Sequence, residues 1–156
     1  MEKILITYAT RPLGLRVAKL LGQTMLVEKA SSDEIPSVLK QVYGSIPRGA
    51  NPVYAHEVLK LALDKDCNYV LPLGLDEIRT LSEATVLFEE YGIQVLCPSR
   101  DILPKVQVLA EPASSMELHL IKDTKDILMG KEFEYAEWDG LCLVSDSEDE
   151  FMLAVV

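Results

Sequence analysis

Short, nearly continuous apolar runs alternate along the chain with stretches whose apolar residues recur every three or four positions. Lys3–Ala9 (KILITYA) reads as a strand buried on both faces. Pro12–Gly22 reads as a helix with Leu13, Val17, Leu20 and Leu21 on one side and Gly22 as its stop. Thr24–Ala30 predicts a second strand, and Pro36–Tyr43 has room for a short helix. Gly44, Pro47, Gly49 and Pro52 mark a loop. Asn51 then Pro52 is a good helix start, and the helix to Asp66 should bury Ala55, Val58, Leu59 and Ala62. Asn68–Gly74 is a third strand. Leu75–Gly92 reads as one helix with Ile78, Leu81, Thr85 and Phe88 inward, and Ile93–Ser99 is a fourth strand.

Strand and helix in alternation, with short links, predict an α/β fold: a Rossmann-like parallel sheet of about four strands flanked by helices. The rhythm changes after Pro104. Lys105–Pro112, Met116–Asp123, Lys131–Gly140, Leu141–Asp146 and Glu150–Val156 look like strands, and Asp123–Gly130 is compatible with one short helix. We therefore expect two units: residues 1–104, and a small antiparallel β appendage over 105–156.

Charge narrows the partners. The chain carries a formal net charge of −10, of which −3 falls in residues 1–130 and −7 in residues 131–156. A nucleic-acid binder shows a basic footprint, and none is visible. An anionic membrane surface would repel the chain, and no apolar run approaches spanning length. Cys67, Cys97 and Cys142 are odd in number and form no C-x-x-C, so neither a disulfide framework nor a zinc site is suggested. These features predict a cytoplasmic protein that binds neither nucleic acid nor membrane.

In a parallel sheet of this kind ligands sit beyond the carboxyl ends of the strands. Three loops qualify: Ala9–Gly14, Ala30–Asp33 and Leu73–Glu77. The first is no dinucleotide loop. It offers Ala9, Arg11 and Gly14 where three glycines are wanted, and Arg11 would crowd the pyrophosphate path. Thr10 and Arg11, near a helix start closed by Gly14, could hold a carboxylate or phosphate. Asp76 and Glu77 open the clearest helix; they complement its dipole or face a substrate. His56 and His119 have no metal partner in the pattern, Ser114–Ser115 lacks a nucleophile elbow, and Trp138 reads as packing. No catalytic residue, metal site or cofactor is expected.

Lys3–Leu21 and Asn68–Ser99 (NYVLPLGLDEIRTLSEATVLFEEYGIQVLCPS) resemble the opening strand–turn–helix and the proline, acidic helix start and "G-I" strand of the pre-ATP-grasp domain. That domain is carried by biotin carboxylases and carbamoyl phosphate synthases. Val106–Ile127 and Gly130–Val156 resemble pieces of the ATP-grasp fold that follows it. The resemblance implies a degenerate member. Glu111–Pro112 stands where the family has a phosphate-contacting lysine–proline, Ala113–Ser115 replaces the glycine-rich loop, and the sequence stops before the magnesium-binding strands. The expectation is a non-catalytic relative that binds a small molecule or a partner protein. Its alternative is a nucleotide- or carboxylate-binding subunit of an ATP-dependent ligase completed by another chain. A β edge left after Glu150–Val156 would pair two copies into a homodimer.

Overall fold

Ile4, Leu5, Ile6, Val70 and Leu71 are all within 1% of complete burial, as strands covered on both faces require. In the computed structural model, which describes residues 1–156, they belong to a parallel sheet in the order β3-β2-β1-β4-β5. The strands are β1 (Lys3–Ile6), β2 (Leu26–Ser31), β3 (Tyr43–Ser45), β4 (Tyr69–Leu71) and β5 (Gln94–Val95). Leu5 pairs with Glu28 on one side and Val70 on the other. Because successive side chains of a strand point to opposite faces, β1 supplies two cores. Ile4 and Ile6 join Val17 and Leu21 of α1 (Pro12–Leu21). Leu5 joins Val58 of α2 (Tyr54–Asp64), Ile78 and Leu81 of α3 (Leu75–Ser82), and Phe88 of α4 (Thr85–Glu90).

The α/β class and the flanking helices are as expected, with differences of detail. The sheet has a fifth strand, β3, in what reads as loop, and Pro36–Tyr43 holds only a single 3-10 turn, Ser37–Leu39. α2 starts at Tyr54, not Pro52: the Asn51 side chain accepts from the Val53 N–H at 3.0 Å in a turn ahead of the helix. Tyr54 takes the fully buried inner position, and Ala55 packs half-buried against the same core. The single helix expected over Leu75–Gly92 is broken at Glu83–Ala84 into α3 and α4.

Beyond the turns at Ser99–Lys105 lies a second sheet, ordered β6-β10-β9-β7-β8. Its strands are β6 (Gln107–Ala110), β7 (His119–Lys122), β8 (Lys125–Asp126), β9 (Gly140–Val144) and β10 (Phe151–Val155). Three pairings are antiparallel, and β6–β10 is parallel. Asp123–Gly130 forms a β7–β8 turn instead of a helix, because Asp123 and Thr124 take positive φ (51° and 67°). Lys131–Gly140 is mostly turn, touching the sheet through one Lys125–Glu132 bridge. The expected free edge at Glu150–Val156 does not exist: β10 lies inside the sheet between β6 and β9. The second sheet also completes both cores. Leu118, Leu120, Leu141 and Ala154 pack with Ile4 and Ile6, while Leu153 and Val155 pack with Leu5. No helix is long and apolar enough to cross a membrane.

Candidate functional site

At the carboxyl end of β1 the chain runs Thr7-Tyr8-Ala9-Thr10-Arg11 into α1. Tyr8 adopts φ 47°, a left-handed conformation unfavourable for a bulky residue. The turn is tight because Gly14 lies against it: a Cβ there would come within 2.7 Å of the Ala9 Cα. The same packing folds the Tyr8 side chain back over the strand ends, where it is 6% exposed and covers Gly74. A dinucleotide fold leaves this place open for the pyrophosphate. Here a tyrosine ring fills it, so the obstruction expected of Arg11 comes from Tyr8.

Arg11 and Thr10 turn toward β2. The Arg11 guanidinium makes two parallel bonds to Asp33, Nε to Oδ2 at 2.7 Å and Nη2 to Oδ1 at 3.0 Å, and lies 5.1 Å from the centre of the Tyr8 ring. This pairing holds the Asp33 carboxyl below its ordinary value. Arg48 approaches Asp33 at 3.7 Å, and the Thr10 hydroxyl meets Ser31 at 3.2 Å and Asp33 at 3.4 Å.

Asp76 and Glu77 separate. Asp76 stays at the rim, where it accepts from the Tyr8 hydroxyl at 3.2 Å and from the Gly49 N–H at 3.3 Å. Glu77 is 0% exposed. Its Oε1 accepts from the Thr7 hydroxyl and from the Gly74 N–H at 3.3 Å, while Thr7 in turn accepts from the Leu73 N–H at 2.8 Å. Burial pushes the Glu77 carboxyl up to about 7 despite the Thr7 hydroxyl.

Three buried side-chain oxygens lack a close hydrogen bond, Glu77 Oε2, the Tyr54 hydroxyl and Ser32 Oγ, and all three border this cluster. Tyr54 reaches Glu77 from α2 as a loose hydrogen-bond partner, and Ser32 stands in the same relation to the Tyr8 hydroxyl. Ser32 also opens outward. With Asp33, Lys40, Tyr43 and Ser45 it borders a cavity of about 680 Å³ beyond β2 and β3. A buried polar atom left wholly unsatisfied costs about 1–3 kcal/mol, so a concentration of loosely paired ones marks this end of the sheet as the candidate site.

Of the residues singled out in the sequence, Thr10, Arg11, Gly14, Asp76 and Glu77 therefore do meet at one end of the sheet. Thr10 and Arg11 join an arginine–aspartate cluster, Gly14 supports the turn, and Asp76 and Glu77 belong to a tyrosine–carboxylate cluster. Sequence reasoning missed Thr7, Tyr8, Arg48 and Tyr54. Only the Arg48-Gly49 segment carried a signal, a polar loop preceding a helix. Elsewhere, His56 is exposed on α2, and His119 is buried with Nδ1 2.8 Å from Asp126. No three His, Cys, Asp or Glu side chains gather to hold a metal ion. No protein-family model matches the chain, and no curated protein is significantly similar to it in sequence.

Proposed function

We propose that this chain is a cytoplasmic, non-catalytic relative of ATP-grasp proteins that binds a small polar molecule at the carboxyl ends of β1, β2 and β4. The observation that carries the reading is the gathering of loosely paired buried polar groups at the strand ends, Glu77 with Tyr54 and Ser32 with Tyr8, beside Asp76 at the rim. Hydroxyls and two carboxylates favour a ligand that presents amino or hydroxyl hydrogens to Asp76 and Glu77. The Arg11–Asp33–Arg48 cluster beside them suits its carboxylate, which makes small amino and hydroxy acids the class to test.

A thermal-shift screen with amino acids, small hydroxycarboxylates, ATP, ADP and NAD, each with and without magnesium, tests this. A ligand at about 100 times its dissociation constant stabilises by about 2.7 kcal/mol. The expected result is a shift with an amino or hydroxy acid that Tyr54→Phe and Glu77→Gln abolish. A shift confined to ATP with magnesium would replace this reading with the nucleotide-binding subunit completed by another chain.

A homodimer remains part of the proposal. Its contact moves from β10 to the outer strand β6, where Val108 is exposed and the backbone edge is unpaired. A monomer by light scattering at tens of micromolar overturns that part.

A further inference from the structure

We infer that a second site, separate from the strand-end cluster, binds an amphipathic monocarboxylate in the groove between α1 and the Glu111–Ser114 loop. The groove holds about 640 Å³. Its α1 wall is one helix face, since Pro12, Leu15, Arg16 and Lys19 follow the spacing of three and four that aligns side chains on a helix. Leu15 is 49% exposed on that face although α1 buries Val17 and Leu21 on the other, and the largely buried Leu13 borders the groove beside it. An exposed leucine alone means little, but this one lines a concave surface together with Pro12 and Pro112.

Charge selects the head group. In a chain of net charge −10, the groove is lined by three cations, Arg11, Arg16 and Lys19, against one acid, Glu111. Asp33 already neutralises Arg11. That leaves Arg16 and Lys19, three residues apart on α1, as the cations for a head group. The opposite wall is held in place: Arg16 donates to the Ala113 carbonyl at 3.2 Å and to that of Met116. The groove is thus formed before any ligand arrives, its lining combining the cations Arg16 and Lys19 with the apolar Pro12, Leu15 and Pro112. A carboxylate with a short hydrocarbon tail matches both parts, and neither part alone suffices.

Isothermal titration of the full chain with octanoate, acetate, inorganic phosphate and octanol tests the assignment. Octanoate should bind saturably, and the other three at least roughly tenfold more weakly, because each lacks the tail or the charge. Lys19→Glu, at an exposed position that folding tolerates, should weaken octanoate by about tenfold or more, and Leu15→Asn should weaken it without affecting phosphate. Glu77→Gln should leave octanoate affinity unchanged, which separates this site from the strand-end proposal. Absence of saturable octanoate binding overturns the inference. So does octanol binding as tightly as octanoate, or an affinity sensitive to Glu77→Gln and indifferent to Lys19→Glu.

Discussion

Thr7 and Glu77 stand 70 residues apart in the chain and meet through a hydrogen bond buried at the carboxyl ends of β1 and β4. The hydroxyl that donates to Glu77 also accepts from the Leu73 N–H. One small side chain therefore ties the turn after β4 to the start of α3. Replacing Thr7 with isosteric valine would leave the buried Leu73 N–H with no partner and Glu77 Oε1 with only the longer bond from the Gly74 N–H. We expect a loss of about 2–4 kcal/mol in urea denaturation, with Thr7→Ser restoring most of it. A valine variant as stable as the wild type would mean that the contact is not formed in solution.

Glu77 makes stability depend on pH in an unusual direction. Its carboxyl is raised by burial from 4.5 to about 7 in the folded chain. Below the unfolded value both states carry the proton, and folding has the full benefit. Between the two values the unfolded chain releases its proton while the folded chain keeps it, so stability falls as pH rises, and the loss is complete above the folded value. The full difference is about 3 kcal/mol. Glu77→Gln cannot titrate, so its stability relative to the wild type should climb by that order from about pH 4 to about pH 8. Parallel pH profiles for the two proteins would count against a protonated Glu77.

Gly74 is confined by the Tyr8 ring. A Cβ added there would come within 2.6 Å of Asp76 Oδ1 and 2.8 Å of Tyr8 Cδ2. Gly74→Ala should cost about 1–3 kcal/mol through overpacking. Tyr8→Gly removes the ring and relaxes the positive φ, so the double variant should lose less than the sum of the two single losses. Strict additivity in thermal or chemical unfolding would show that ring and glycine do not touch.

The Arg11–Asp33 pair is short and doubly bonded, but the arginine side chain is 41% exposed and the aspartate 22%. Solvent screening limits its worth, and Arg11→Ala should cost under about 1 kcal/mol. Any loss of ligand binding in that variant can then be read without interference from unfolding. A loss of several kcal/mol, measured at low and high salt, would show that the pair has a structural role.

All three cysteines are free and buried. Burial pushes the Cys67 thiol up to about 11 and those of Cys97 and Cys142 up to about 12. Since the thiolate is the reactive form, a thiol reagent should label none of them in the native protein at neutral pH. Labelling should instead appear in step with global unfolding. Rapid modification of any one would locate a segment that opens on its own.

The parallel sheet was legible because its strands are covered on both faces, and nothing polar interrupts Ile4–Ile6 or Val70–Leu71. β3 was not, since Tyr43–Ser45 is three residues long, contains a glycine, and owes its conformation to pairing with Lys29–Ser31 of β2. Lys131–Gly140 misled through its aromatic residues: Phe133 is buried, but Tyr135 is 60% exposed in a turn. At the site, Arg11, Asp76 and Glu77 could be found because they follow strands. Tyr8 and Tyr54 could not. One looked like the tail of a strand and the other like helix filler, and only the fold turns both hydroxyls toward the same carboxylates.

The placement of β10 bears on how the chain folds. Phe151–Val155 is the only partner of β6, more than forty residues upstream, and its neighbour Val156 donates to the Leu73 carbonyl at 2.9 Å. Pairings of such separation are slow, because chain-closure entropy is lost before any contact repays it. During synthesis the first sheet can assemble early, but β6 must wait without a partner and both cores stay partly open until Phe151–Val155 emerges. Refolding should therefore be limited by docking of this one segment, and the waiting β6 edge is the part of the nascent chain most exposed to misassembly.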